Sequence, residues 1–117
     1  MSSVTTISTH VLDTSLGRPA AGIAVTLARV DKPDVSTVIA SGITNVDGRV
    51  AELAPADGPI HGGRYRLRFD VANYFADSRR SSFYGEICID FVVADDPQHY
   101  HVPLLLSPYG YATYRGS

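Results

Sequence analysis

The sequence predicts an all-β fold, an antiparallel sandwich carrying one short helix. Three observations predict it. Apolar and polar residues alternate at period two through most of the chain, turn residues punctuate it at short intervals, and one segment alone reads as helical.

The elements follow in order. Ile7 to Leu12 opens the chain, with Ile7 and Val11 of one parity and His10 of the other. Gly22 to Val30 and Thr37 to Thr44 are β-rich runs. Arg64 to Asp70 alternates cleanly, with Tyr65, Leu67 and Phe69 on one face and arginines on the other. Asn73 to Arg80 is the helix, with an Asn cap at its start and arginines suited to its C-terminus. Glu86 to Val93 places Ile87, Ile89, Phe91 and Val93 together. Gln98 to Leu106 and Gly110 to Tyr114 close the chain. Between these runs lie Gly17-Arg18-Pro19, Asp47-Gly48, Asp57-Gly58-Pro59, Gly62-Gly63, Asp95-Asp96-Pro97 and Ser107-Pro108-Tyr109-Gly110, all turn chemistry. No repeat or domain boundary interrupts them, so residues 1–117 read as a single domain.

Composition narrows the function classes. A chain of 117 residues, 44% hydrophobic and 19% charged, can bury a core of its own. Its formal net charge of −2, without a dense Lys/Arg run, lacks the footprint of a nucleic-acid binder. A single cysteine, Cys88, forbids an internal disulfide and reads as a small strand-filling residue. No apolar run reaches the ~20 residues that cross a bilayer, and no signal peptide is evident. The expectation is a soluble cytoplasmic protein. A peroxisomal location stays open, although Arg115-Gly116-Ser117 is not an address of the Ser-Lys-Leu type.

Four features could carry chemistry. In His99-Tyr100-His101 the two imidazoles share a face, opposite Tyr100, Val102 and Leu104, whose apolar character marks the core side. They are either solvated surface residues or, at this spacing, able to meet one metal ion. His10 also points outward, and a lone histidine there is more often structural than reactive. Arg49 leaves the Asp47-Gly48 turn, where arginines are usually solvated. The last residues, Tyr114-Arg115-Gly116-Ser117, follow a β-forming run without a linker. Chain ends usually fray. An ordered one would bring a hydroxyl, a guanidinium and a carboxylate together. Alternation there puts Ala112, Tyr114 and Gly116 on one face and Thr113 and Arg115 on the other.

Taken together, these motifs resemble a known family. Ser8-Thr9-His10-Val11-Leu12-Asp13 with Gly17-Arg18-Pro19-Ala20 resembles the opening of the 5-hydroxyisourate hydrolases, and His99 to Pro108 resembles their penultimate strand. Tyr114-Arg115-Gly116-Ser117 matches the terminal tetrapeptide that marks these enzymes against transthyretin itself. Asn45-Val46-Asp47-Gly48-Arg49 is similar to the segment bearing their arginine. Phe83-Tyr84-Gly85-Glu86 departs from the family pattern, with Gly85 where a proline is usual. The resemblance covers residues 6 to 117.

What the resemblance implies is a transthyretin-like sandwich of two four-stranded sheets, assembled as a homotetramer, a dimer of dimers with sites at the dimer–dimer interface. The implied reaction is hydrolytic opening of a cyclic amide in a planar, oxidised purine, with no cofactor and no metal. His101 would activate water and His10 would orient it or shuttle a proton, roles that could be exchanged. Arg49, always protonated, would steady the developing anion. Tyr114, Arg115, Gly116 and Ser117 would bind substrate, with Arg115 holding the terminus by pairing with a carboxylate. Two rivals remain: a small-ligand carrier of transthyretin type, and a zinc hydrolase using His10, His99 and His101.

Overall fold

The computed structural model describes residues 4–117. Its strands run β1 (Thr6–Asp13), β2 (Arg18–Pro19), β3 (Ala24–Lys32), β4 (Val35–Ile43), β5 (Arg49–Val50), β6 (Gly63–Asp70), β7 (Glu86–Val93), β8 (His99–Ser107) and β9 (Gly110–Thr113), with helix α1 (Val71–Asp77) between β6 and β7. One sheet has four strands in the order β4-β3-β6-β7. The other has five: β2-β1-β8-β9, with β5 also paired to β1. Beside β1, β8 and β9, the two-residue strands β2 and β5, too brief to show any periodicity, bring this sheet to five where four were expected. The sheets pack face to face. Ile7 and Val11 of β1 and Leu104 and Leu106 of β8 meet Val25, Leu27, Leu67, Phe69 and Ile87, all buried.

The sandwich is antiparallel in every pairing but one. β1 and β8 run parallel, from Thr6 opposite His99 to Asp13 opposite Leu106. A parallel pair cannot be a hairpin and needs a long crossover, which the rest of the domain supplies. Both strands alternate. Ile7, Thr9, Val11 and Asp13 are buried on the inner side, and Tyr100, Val102, Leu104 and Leu106 join them from β8. Thr9 satisfies its buried hydroxyl by donating to the Val102 carbonyl at 2.7 Å. Cys88 falls on the outer face of the other sheet and is exposed, so it fills no core space.

The helix starts earlier than the sequence suggested. Asp70, not Asn73, is its cap: the Asp70 carboxylate accepts from the Asn73 amide and, at 2.7 Å, from the Asn73 side chain. The helix also ends earlier, at Asp77, and Arg79 turns left-handed with φ of 57°. Arg80 still closes the helix end, its amide donating to the Phe75 carbonyl at 2.9 Å. Its guanidinium lies over the Phe75 ring and donates to Asp13 at 2.6 Å.

Asp13 is fully buried at the end of β1, so its partners decide whether it is tolerable. It accepts from the Ser15 and Leu16 amides, the Ser15 hydroxyl, the Tyr74 hydroxyl and Arg80. Burial alone raises its pKa, but the hydrogen bonds from Arg80, Ser15 and Tyr74 and the Arg80 charge outweigh it, leaving the carboxyl well below the usual carboxylate range. A depressed folded pKa stabilises the fold above the unfolded value of 3.8, and that stabilisation fades as pH falls below it. Urea melts at neutral pH should show Arg80→Met destabilised by about 3 kcal/mol, because a buried carboxylate loses its countercharge. Between about pH 4 and pH 2, Asp13→Asn should lose less of its remaining stability than the parent, since it has no carboxylate to protonate there.

Candidate active site

The parallel register of β1 and β8 sets the outer face of the five-stranded sheet. Thr6 stands beside His99, Ser8 beside His101 and His10 beside Pro103. Side chains of matched register and outward parity lie next to one another. The Thr6 hydroxyl is 2.6 Å from His99 Nδ1. The Ser8 hydroxyl is 3.0 Å from His99 Nε2 and 2.7 Å from His101 Nδ1. The rings of His10 and His101 stack with centroids 6.5 Å apart, and those of His99 and His101 do the same at 6.5 Å. Three imidazoles thus form one row, with Ser8 buried beneath it.

Arg49 reaches the row from the other side of β1. β5 pairs antiparallel with β1, and Arg49 is directly opposite His10. A built turn delivers it. Asn45 Oδ1 accepts from the Asp47 and Arg49 amides at 2.9 and 3.0 Å. Gly48 adopts φ of 74°, and a Cβ there would stand 2.4 Å from the Val11 carbonyl oxygen. The Asp-Gly signal therefore reports a backbone pressed onto β1, which fixes where Arg49 emerges. The Arg49 side chain is exposed.

The terminus completes the group. β9 pairs with β8, and the chain continues until the Gly116 amide donates to the His101 carbonyl at 2.8 Å. The Gly116 backbone lies flat on the imidazole: a Cβ would fall 2.7 Å from His101 Cδ2 and 3.2 Å from Pro103 Cγ. This gives Gly116 a packing duty besides the substrate contact anticipated for it. Arg115, past the end of β9, turns to the inner side over Tyr100. It holds the terminus, but through no carboxylate: it donates to Gln98 Oε1 at 2.8 Å and to the His99 carbonyl at 3.3 Å, and its guanidinium sits 4.4 Å from the Tyr100 ring centroid. Tyr114 and Arg115 also line a groove of about 320 Å³ with Ile89, Phe91, Tyr100 and Val102, at the open edge between the sheets. Ser117 is exposed at the end.

His101 Nδ1 is engaged by Ser8 and Cδ2 by Gly116, so Nε2 is its free nitrogen among the described residues. Burial pushes the His101 pKa below its usual 6.5, and the positive charges of Arg49, His10 and His99 push it further the same way. The ring is uncharged at neutral pH, with one nitrogen open to act as a base. No group of three or more His, Cys, Asp or Glu side chains among the described residues is arranged to hold a metal ion. His61 lies on a loop, exposed, its carbonyl accepting from the Tyr65 hydroxyl. Sequence reading missed Ser8 and Thr6. Their outward parity with His10 was visible, but their partners follow only from knowing that β1 lies parallel to β8.

Comparison with known proteins finds the same fold elsewhere. The model of the HIUase/Transthyretin family matches residues 7–116. A 5-hydroxyisourate hydrolase of Halalkalibacterium halodurans is 42% identical over 115 residues, spanning 95% of this chain and 97% of that protein. The structure of Klebsiella pneumoniae 5-hydroxyisourate hydrolase superposes with a TM-score of 0.81 at 39% identity, covering 97% of this chain and 94% of that one. Sea bream transthyretin, solved in complex with thyroxine, superposes with a TM-score of 0.85 at 27% identity, over 94% of this chain and 93% of that one. By this nearly end-to-end match, the chain belongs to the HIUase/Transthyretin family.

Proposed function

We propose that residues 1–117 form one hydrolase domain that opens the cyclic amide of 5-hydroxyisourate in urate degradation, yielding 2-oxo-4-hydroxy-4-carboxy-5-ureidoimidazoline. One observation carries the reading: His101, its Nδ1 beside the Ser8 hydroxyl and its pKa lowered by burial, stands with His10 and Arg49 on a polar sheet face, in a chain 42% identical to a 5-hydroxyisourate hydrolase. His101 Nε2 takes a proton from water, and the resulting hydroxide adds to the ring carbonyl. Arg49 stabilises the oxyanion that forms. His10 orients the water or carries a proton to the leaving nitrogen. The terminal Tyr114-Arg115-Gly116-Ser117 shapes the substrate's place. A carrier of the transthyretin type needs an apolar lining, which imidazoles and a guanidinium do not provide.

We further propose that the site is shared between subunits of a homotetramer, a dimer of dimers. Supporting this, Arg49 and His99 are exposed in the single chain, and three of its grooves are lined without His10, Arg49 or His101. A planar substrate on an open sheet face has little enclosure, whereas binding sites are usually concave. A two-fold related copy laid over the same face would close it.

The decisive assay follows the ultraviolet absorbance of freshly made 5-hydroxyisourate with metal-free protein. Acceleration over spontaneous decay is expected, and its absence overturns the reading. In the same assay His101→Asn should lower kcat by about a hundredfold or more while circular dichroism stays unchanged. The parent's kcat/KM should fall in acid as His101 protonates, with the limb below about pH 6.5 because the pKa is depressed. Arg49→Lys keeps the charge but loses the planar fork, and should cost about 2–4 kcal/mol of transition-state stabilisation, read from kcat/KM. Leu105→Glu, on the same outward parity as His101, should split the assembly and abolish turnover together, which light scattering alongside the assay would register.

A further inference from the structure

The row of imidazoles contains more than the reaction above uses. From His101 a continuous hydrogen-bonded path leads outward: His101 Nδ1 to Ser8 Oγ at 2.7 Å, Ser8 Oγ to His99 Nε2 at 3.0 Å, and His99 Nδ1 to Thr6 Oγ1 at 2.6 Å. Ser8 is 7% exposed, whereas His99 is open to solvent. The path thus runs from a sheltered ring to an exposed one through a single hydroxyl.

Proton counting gives this path a direction. A serine hydroxyl carries one proton, so between two imidazole nitrogens it donates to one and accepts from the other. A neutral imidazole likewise carries one N–H. Two arrangements therefore satisfy every link. In the first, His101 Nδ1–H donates to Ser8, the Ser8 hydroxyl donates to His99 Nε2, and His99 Nδ1–H donates to Thr6. His101 Nε2 is then bare and basic. In the second, Thr6 donates to His99, His99 Nε2–H donates to Ser8, and Ser8 donates to His101 Nδ1. His101 Nε2 then carries a proton it can give away.

We propose that Ser8 and His99 are a proton relay that switches His101 from base to acid within one turnover. The proposal rests on His101 being the water activator. When His101 Nε2 takes the water proton, its Nδ1 proton passes to Ser8 Oγ and the Ser8 proton passes to His99 Nε2. His99 becomes the imidazolium, with Nδ1–H still on Thr6, and His101 is neutral with its proton on Nε2. The hydroxide adds to the carbonyl. In this sequence His10 orients the water; His101 Nε2–H then protonates the leaving nitrogen, and the relay runs backward, returning a proton from His99 through Ser8 to His101 Nδ1. Each proton is accounted for, and the resting arrangement is restored.

The surroundings favour this transfer. The groups that face His101 are Ser8 and His10 from β1, Arg49 from β5, His99 on its own strand and the Gly116 backbone from the terminus. Arg49 is the permanent cation among the groups that act on it. An imidazolium held at His101 would sit closer to Arg49 and in a partly buried place, whereas His99 stands one register step further from Arg49 and hydrogen-bonds Thr6 through its far nitrogen. Ser8 and His99 are thus positioning residues, since neither touches the reacting atoms.

Steady-state kinetics in mixtures of water and D2O test the relay on Ser8→Ala, Ser8→Thr, His99→Asn and the Ser8→Ala/His99→Asn double variant. Ser8→Ala should lower kcat roughly ten- to a hundredfold with KM nearly unchanged. Ser8→Thr, which keeps the hydroxyl, should restore most of it. His99→Asn should fall to the Ser8→Ala level, and the double variant no further, because both remove one path. The parent's kcat should depend on deuterium fraction along a curve, from several protons moving together, and the variants' along a line. His99 is exposed, so His99→Asn carries the test even if Ser8→Ala unfolds. An inactive parent would overturn the reaction and the relay together. An active parent with His99→Asn or Ser8→Ala at full rate, or with losses that multiply in the double variant, would overturn the relay alone.

Discussion

Everything on the reactive face depends on the parallel pairing of β1 with β8. Because side chains alternate, a slip of one residue would send the outward set of either strand into the core and break every contact in the row. The register is pinned at several points. Within it, the Thr9 hydroxyl is tied to the Val102 carbonyl. At its ends, the Thr6 amide is tied to Gln98 and both the Thr14 amide and hydroxyl to the Leu106 carbonyl. Beyond it, Asp13 with Arg80, Tyr74 and Ser15 clamps the end of β1 against the helix. The inner faces supply the burial that makes the register worth holding, with Ile7, Val11, Leu104 and Leu106 wholly out of water.

On that frame each reactive group arrives by a different route. The imidazoles stand on the two central strands, whose positions the core fixes. Arg49 comes from a strand of two residues, and a turn whose glycine presses on β1 substitutes for the missing strand length. The terminus is held at β8 by one backbone hydrogen bond, by Arg115 on Gln98 and Tyr100, and by the absence of a side chain at Gly116. Burial, with Arg49 and the neighbouring imidazoles behind it, lowers the His101 pKa, which favours the uncharged state a base requires.

Much of this was legible in the sequence, and the limits are physical. Period two revealed every long strand, and parity correctly sent Tyr100, Val102 and Leu104 inward and His101 outward. Arg18–Pro19 and Arg49–Val50 were invisible because two residues have no period. The helix shifted because Asp70, read as the end of a strand, serves also as the cap. Strand sense was beyond reach: alternation is identical in parallel and antiparallel pairs, so β1 and β8 could not be matched residue for residue, and Ser8 stayed unremarked. Charge calls for a carboxylate beside Arg115, whereas a glutamine and an aromatic face satisfy it.

The central claim is that strand register hands Ser8 to His101 Nδ1 and leaves a neutral, bare Nε2 facing the substrate. Nitrogen-15 NMR of the imidazoles in the unliganded protein, with His101 identified by its loss in His101→Asn, reads this directly. At neutral pH the account expects an uncharged His101 with its proton on Nδ1. A charged ring at that pH, or a proton resting on Nε2 with Nδ1 bare, would contradict it.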